Sequence, residues 1–391
     1  MKRGISLAVV LPASLLLAPP REAAAGVAVG VSVSFFHDAL APHGDWVQSE
    51  RFGLVWAPRH VAHDWRPYLY GHWVYTDYDW TWVADDEWGW ATDHYGRWYF
   101  DPAGGWFWVP GDEWAPAWVV WRSGGGYVGW APLPPEVDAF HLSAGFVVDP
   151  FSFSFVALGS FCEPHVYRHV VPVARNVTFV RVTENVTHYT VVENRIVNRG
   201  IEVDRVEHAW GHAVPRVRLH EVASAAEVRD ARVRSGEVAV FRPRVGPSAA
   251  AAAPASHAVV ARPEDVARRQ ERERHDLQSA EERERNELRK IHEREEKHPP
   301  AAVFQSEPAR HEAEGRTDAR GGAPAATQHQ TIDRDELRSR HEAEMRAQAE
   351  HEQRERTALQ ARQAREQKAA EERHPAAARP QPHDDKDKKK H

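Results

Sequence analysis

Cysteine occurs once in the 391 residues, at Cys162, and methionine only twice. One cysteine excludes an internal disulfide, so stability has to come from packing. Beyond the opening residues no apolar run is long enough to span a bilayer. The Gly-x-Ser-x-Gly elbow, the phosphate-binding loop and the dinucleotide fingerprint are all missing, and no cofactor is implied. The formal net charge of −7 is mild for this length and argues against a nucleic-acid binder. These absences leave a chain with no catalytic signature.

Residues 1–25 read as a signal peptide. Lys2 and Arg3 give a basic start, Ile5 to Ala18 is mostly apolar, and Ala23 and Ala25 supply the small residues a signal peptidase requires. No cysteine follows directly, which excludes a bacterial lipid anchor. The expected location is periplasmic or secreted, with no transmembrane segment after cleavage; an uncleaved anchor is the alternative.

What the chain does have is tryptophan. Fifteen of its sixteen tryptophans lie between Trp46 and Trp130. Residues 44–58, 71–85 and 96–110 each open with Gly-x-Trp, and a second tryptophan follows nine or ten residues later. The starts are 27 and 25 residues apart, the length of one small supersecondary unit. Turn formers sit between the two tryptophans: Arg51 to Gly53, Asp77 to Asp79 and Asp101 to Gly105. Each unit therefore reads as a β-hairpin. Trp80/Trp82, Trp88/Trp90 and Trp106/Trp108 are spaced to place two indoles on one strand face. A lone hairpin is marginal in water, so the units must join or stack.

The fold class expected is mostly β, in a definite order of segments. Tryptophan-rich hairpin repeats occupy 26–136, and a Val/Thr-rich β extension occupies 137–222. In the extension Asn176, Asn185 and Asn194 recur every nine residues. That spacing fits a short coil of parallel strands or, as favoured here, two or three ordinary strands with Asn-containing turns. The sequons at Asn176 and Asn185 sit at repeat positions and read as structural. An Ala/Pro linker follows at 223–262, then a charged helix at 263–298, a disordered linker at 299–331, a second charged helix at 332–373 and a disordered tail at 374–391. From Glu264 to Lys297, 22 of 34 residues are charged. Val266, Leu277 and Leu288 are 11 apart, a thin stripe that packs weakly. Local pairs such as Glu281/Arg285 give the helix i, i+4 support. The expected role of these helices is a spacer or a weak self-association element, with a coiled-coil-like pattern.

Candidate chemistry is sparse. Carboxylates adjoin tryptophans at Asp64-Trp65, Asp86-Glu87-Trp88 and Asp112-Glu113-Trp114, a pattern that admits a glycan hydrolase. The pattern recurs with each repeat, however, whereas an active site is needed once. Cys162, His165 and His169 offer one sulfur and two imidazoles to zinc, with the histidines on one strand face, but no fourth ligand stands nearby and no metal is assigned. Most tryptophans are expected in the core. Some, among Trp73, Trp80, Trp82, Trp98, Trp106 and Trp108, are expected to serve as platforms for a cell-wall polysaccharide or an envelope protein.

Several strings in order carry a family resemblance: Trp65-Arg-Pro-Tyr, Gly71-His-Trp-Val, Glu87-Trp-Gly-Trp-Ala, His94-Tyr-Gly-Arg-Trp, Gly129-Trp-Ala-Pro-Leu-Pro and Val197-Asn-Arg-Gly-Ile201. Residues 35–215 resemble a Trp-rich domain family of unknown function from exported proteins of Gram-negative bacteria, often followed by a charged tail. The resemblance implies export and fold, and it supplies no catalytic residues. A looser similarity, best at Gly96-Arg-Trp-Tyr-Phe, is to choline-binding cell-wall repeats, which are shorter and close with Gly-x-Met. The function expected is a non-enzymatic envelope module. N-terminal sequencing of protein from the envelope fraction should begin at Gly26; an intact Met1 there contradicts the signal reading.

Overall fold

The computed structural model describes residues 33–62, 64–102, 104–142, 146–228, 233, 235–244, 263–300 and 332–373. The signal peptide at 1–25 and the tail at 374–391 lie outside these residues, as do nearly all of the linker at 299–331 and the Ala/Pro stretch from 245.

A short helix α1 (Val33–Leu40) leads into the first hairpin, β1 (Gly44–Ser49) with β2 (Gly53–Pro58). The second hairpin is β3 (Gly71–Thr76) with β4 (Asp79–Ala84), and the third is β5 (Arg97–Asp101) with β6 (Gly105–Val109). All three expected hairpins are present. In each, the two tryptophans are cross-strand partners: Trp46 with Trp56, Trp73 with Trp82, Trp98 with Trp108. A spacing of nine or ten residues closed by a two- or three-residue turn produces that register. A fourth hairpin, β7 (Val119–Gly124) with β8 (Tyr127–Pro132), pairs Trp121 with Trp130 in the same way. It lacks the Gly-x-Trp opening, having Val119-Val120-Trp121 instead.

The hairpins interleave. The first and third join through Trp56 and Trp108 into a sheet of order β1-β2-β6-β5. The fourth is extended by β9 (Ser154–Ala157) and the two-residue β10 (Glu184–Asn185) into a second sheet, β10-β7-β8-β9. The second hairpin stays two-stranded and packs its rings on the fourth. The Trp73 ring is 4.5 Å from Trp121 and 5.7 Å from Trp130, and Phe161 closes the cluster 5.9 Å from Trp73. On the first sheet Trp56 lies 6.1 Å from Trp98, and Trp46 lies 6.3 Å from Trp108; both groups of rings belong to one continuous core. Each buried ring removes about 150–250 Å² from water, roughly 4–6 kcal/mol of transfer free energy.

The indole N–H groups also need partners, and backbone carbonyls of the connecting segments supply several. Trp56 donates to Leu40, Trp108 to Tyr95, Trp130 to Tyr68 and Trp80 to Ile201. Linker conformation is thereby tied to the core.

Three readings are corrected. Trp88-Gly89-Trp90 is not a strand: Gly89 donates to the Asp86 carbonyl and opens a one-turn helix, α2 (Gly89–Thr92). The first Asn repeat folds as helix α3 (Asn176–Val182), although Val and Thr favour strands. Packing overrides propensity there: Asn176 donates to the Pro150 and Phe153 carbonyls, and Phe179 stacks 4.4 Å from Tyr127. The other two repeats form the hairpin β11 (His188–Val192) and β12 (Arg195–Arg199), turning at Glu193-Asn194 with φ of 49° and 62°. After helix α4 (Val203–Trp210), β13 (Arg218–Glu221) pairs in parallel with β14 (Glu237–Val240). That last strand falls inside the expected linker, because Val238 and Val240 alternate inward, Val238 toward Val74, Val83 and Val217.

The glycine of Gly-x-Trp has a packing cause. A Cβ on Gly44 would sit 2.3 Å from the Ala57 carbonyl oxygen and 2.3 Å from the Trp56 ring. Gly71 faces Trp82 and Gly96 faces Trp108 in the same manner. The second indole of each hairpin thus lies flat on the first strand's glycine. Gly44→Ala should cost about 1–3 kcal/mol by overpacking, and Gly53→Ala, with open space but φ of 71°, should cost about 1 kcal/mol. Urea melts of both variants check this, and a smaller loss at Gly44 contradicts it.

Candidate functional site

The C-terminal part contains two long helices, α5 (Pro263–Lys297) and α6 (Arg334–Arg373). Their cross-pairs run from Arg269–Glu366 through Arg285–Glu352 to His341–Glu295, so the helices are antiparallel neighbours. Glu281 accepts a bidentate pair from Arg356, and Arg285 bonds Glu352 at 2.7 Å, in place of the expected local Glu281/Arg285 pair. The stripe of Val266, Leu277 and Leu288 is buried, as its spacing requires. Yet the helices are not a free spacer. They dock on the β domain.

Docking has two anchors. At one end Thr178 donates to Glu344 at 2.7 Å, Arg175 bonds Glu295 at 2.8 Å, and Leu288 and Ala347 pack on Ala174. Burial pushes the Glu344 carboxyl up, but His292, Arg175, Thr178 and Arg340 together outweigh it and hold it below the usual range. At the other end Arg365 donates to the Gly104 carbonyl at 3.1 Å, beside the tight turn between β5 and β6. Arg354 pairs with Asp149 between them.

A cleft of about 750 Å³ lies between the anchors. Its floor is the β1-β2-β6-β5 sheet, with Trp46, Phe100 and Trp106; its roof is α5 and α6, with Leu277, Ala358 and Leu359. Arg59, Arg66, Arg362, Asp64, Glu355 and Glu366 add a charged lining of both signs. Trp106 is half-buried and meets Phe100 edge-on at 5.4 Å. Trp46 is also half-buried, stacked on His37 at 5.1 Å and donating to its carbonyl. An aromatic floor ringed by charged groups of both signs can hold a ligand that offers an apolar face and polar groups together.

Of the six tryptophans offered as platforms, five are core. Trp73, Trp80, Trp82, Trp98 and Trp108 are each at most 3% exposed and have no free ring face for a ligand. Trp106 alone of the six lines the cleft. Trp46 was not among them; it lies on β1, an edge strand of its sheet.

The acids beside the tryptophans do not converge. Asp64 lines the cleft and accepts from the Tyr70 hydroxyl at 2.8 Å. Asp86 accepts from the Trp65 indole at 2.9 Å, and burial lifts its carboxyl to about 6. It lies with Glu87 on a separate cavity of about 50 Å³. Asp112 and Glu113 are exposed. Asp93, which sequence reasoning passed over, is fully buried and held well above the carboxylate range by burial and by Asp86.

The zinc candidates are not brought together either. His165 and His169 are exposed, the first capping and the second ending a short 3₁₀ turn, Val166–His169, instead of sharing a strand face. In that geometry residues four apart do not align. Burial pushes the Cys162 thiol up to about 12, away from the thiolate a metal needs.

Residues 37–137 match a family of unknown function, DUF6600. The match spans the four tryptophan hairpins and stops before β9, so the hairpin core is what this chain shares with that family. No curated protein and no solved structure matches the chain. Among the described residues, no helix is long and apolar enough to cross a membrane.

Proposed function

We propose that this chain is a non-enzymatic, exported binding protein of the cell envelope, and that the cleft between the hairpin sheet and the docked helices holds a polysaccharide segment. The observation that carries the reading is the contrast among the indoles. Five of the six candidate rings are spent on the core, while Trp106 and Trp46 remain at the floor of a cleft with charged groups of both signs. A flat ring with arginine and carboxylate groups around it suits a sugar, whose apolar face stacks while its hydroxyls find donors and acceptors. The dispersal of the acids beside the tryptophans weighs against hydrolysis, which needs two carboxylates flanking one bond. The helices then complete the site.

Co-sedimentation of the full chain with purified peptidoglycan tests the reading. Wild type should pellet with the glycan. Trp106→Ala should stay folded and bind about tenfold more weakly, the ~1.4 kcal/mol that a ring contact supplies. A wild type that stays in the supernatant, or a Trp106→Ala variant that binds as wild type, contradicts the proposal.

A further inference from the structure

Where α5 and α6 meet the segment after β2, three side chains of metal-ligand chemistry converge. His351 and Glu355 stand one turn apart on one face of α6, and Glu284 reaches in from α5. One ligand atom from each lies within 4.8 Å of the other two, and among the described residues this is the one such group of three.

The individual atoms fit a ligand role. His351 Nε2 is 3.4 Å from Glu355 Oε1, and the imidazole ring is fixed by stacking on Phe151 at 5.7 Å. Glu355 Oε2 is buried and accepts no hydrogen bond. Glu284 accepts from Gln348 at 3.3 Å, a long and weak contact. Burial pushes the Glu355 carboxyl up to about 9, with Glu284, Asp64 and Glu281 adding to it and Arg66 opposing. Glu284 is raised as well, by burial first. Arg66 is itself buried, and its Nε is engaged by the Ser154 hydroxyl at 3.0 Å. Carboxylates crowded in a half-dry site stay ionised only when a cation balances them.

We propose that Glu284, His351 and Glu355 bind one divalent transition-metal ion of the zinc type, through one imidazole nitrogen and two carboxylate oxygens. One nitrogen with two carboxylate oxygens is a ligand set that Zn²⁺ takes, and three protein ligands leave a fourth position open. Bonds of about 2.0–2.2 Å put neighbouring ligand atoms roughly 3.5 Å apart, so the side chains close by about an ångström. His351 and Glu355 both line the cleft, which gives an ion there a route in. The ion would also tie α5 to α6 beneath the roof of the cleft.

The test is calorimetric titration of Zn²⁺ into the metal-stripped full chain, with thermal melts in its presence and absence. Wild type should bind one ion with proton release, and its melting temperature should rise. Glu355→Gln should weaken binding by at least about 100-fold, beyond what loss of an outer partner costs, and remove the rise. Glutamine has the shape of a protonated glutamate, so this variant should melt no lower than wild type when both are metal-free. His351→Gln should lose the ion likewise. Absence of one-to-one binding by wild type overturns the proposal. So does undiminished binding by both variants, which would place the ion on others of the chain's 24 histidines.

Discussion

The structure depends on cross-strand pairing of two indoles within each hairpin, and on the glycine that lets the second ring lie flat. A tryptophan pair is too large for a single hairpin to hide, because one hairpin has only one layer. Each pair must therefore find another. The first hairpin meets the third through Trp56 and Trp108, and the second meets the fourth through Trp73 and Trp121. Alternate repeats thus become neighbours, and the connections between them run across the core. Carbonyls of those connections accept the N–H groups of Trp108 and Trp130, and the end of α1 accepts that of Trp56. Satisfying those buried donors fixes the connections as firmly as the strands.

That arrangement leaves few rings for anything else. Trp46, on the edge strand β1, and Trp106, near the turn end of β6, are the half-buried indoles of the sheet formed by the first and third hairpins, and they form the floor of the cleft. The roof comes from helices in which, taken together, more than half of the residues are charged. Apolar contact there is slight, so docking rests on partly buried ion pairs and hydrogen bonds such as Thr178–Glu344 and Arg175–Glu295. Such pairs are worth more than surface pairs because water screens them less. They also carry a desolvation cost, seen in the upward pull that burial exerts on Glu344.

Much of the hairpin domain was readable from residue spacing. Alternation and the intervals from Trp46 to Trp56, Trp73 to Trp82 and Trp98 to Trp108 define strands, turns and register at once. The fourth hairpin escaped because Val119 stands where the other units have glycine. Helix α3 escaped because its β-branched residues favour strands, and only contacts from Pro150, Phe153 and Tyr127 decide otherwise. The cleft was hidden for a different reason. With arginine and glutamate spread along both charged helices, many pairings satisfy the same charges. Which ones form is a property of the packed molecule. Trp106 was readable as a candidate, but its difference from Trp108, two residues away, comes from sheet position and leaves no mark in the pattern.

The central claim is that ring contacts between indoles of different hairpins hold one continuous core together. A double-mutant cycle on Trp73 and Trp121, each changed to Leu and followed by urea unfolding, measures it directly. The account predicts a coupling of about 0.5–1.5 kcal/mol for this pair, against additivity within about 0.3–0.5 kcal/mol for Trp46 with Trp121, which lie on different sheets. Additivity at Trp73 and Trp121 would contradict it.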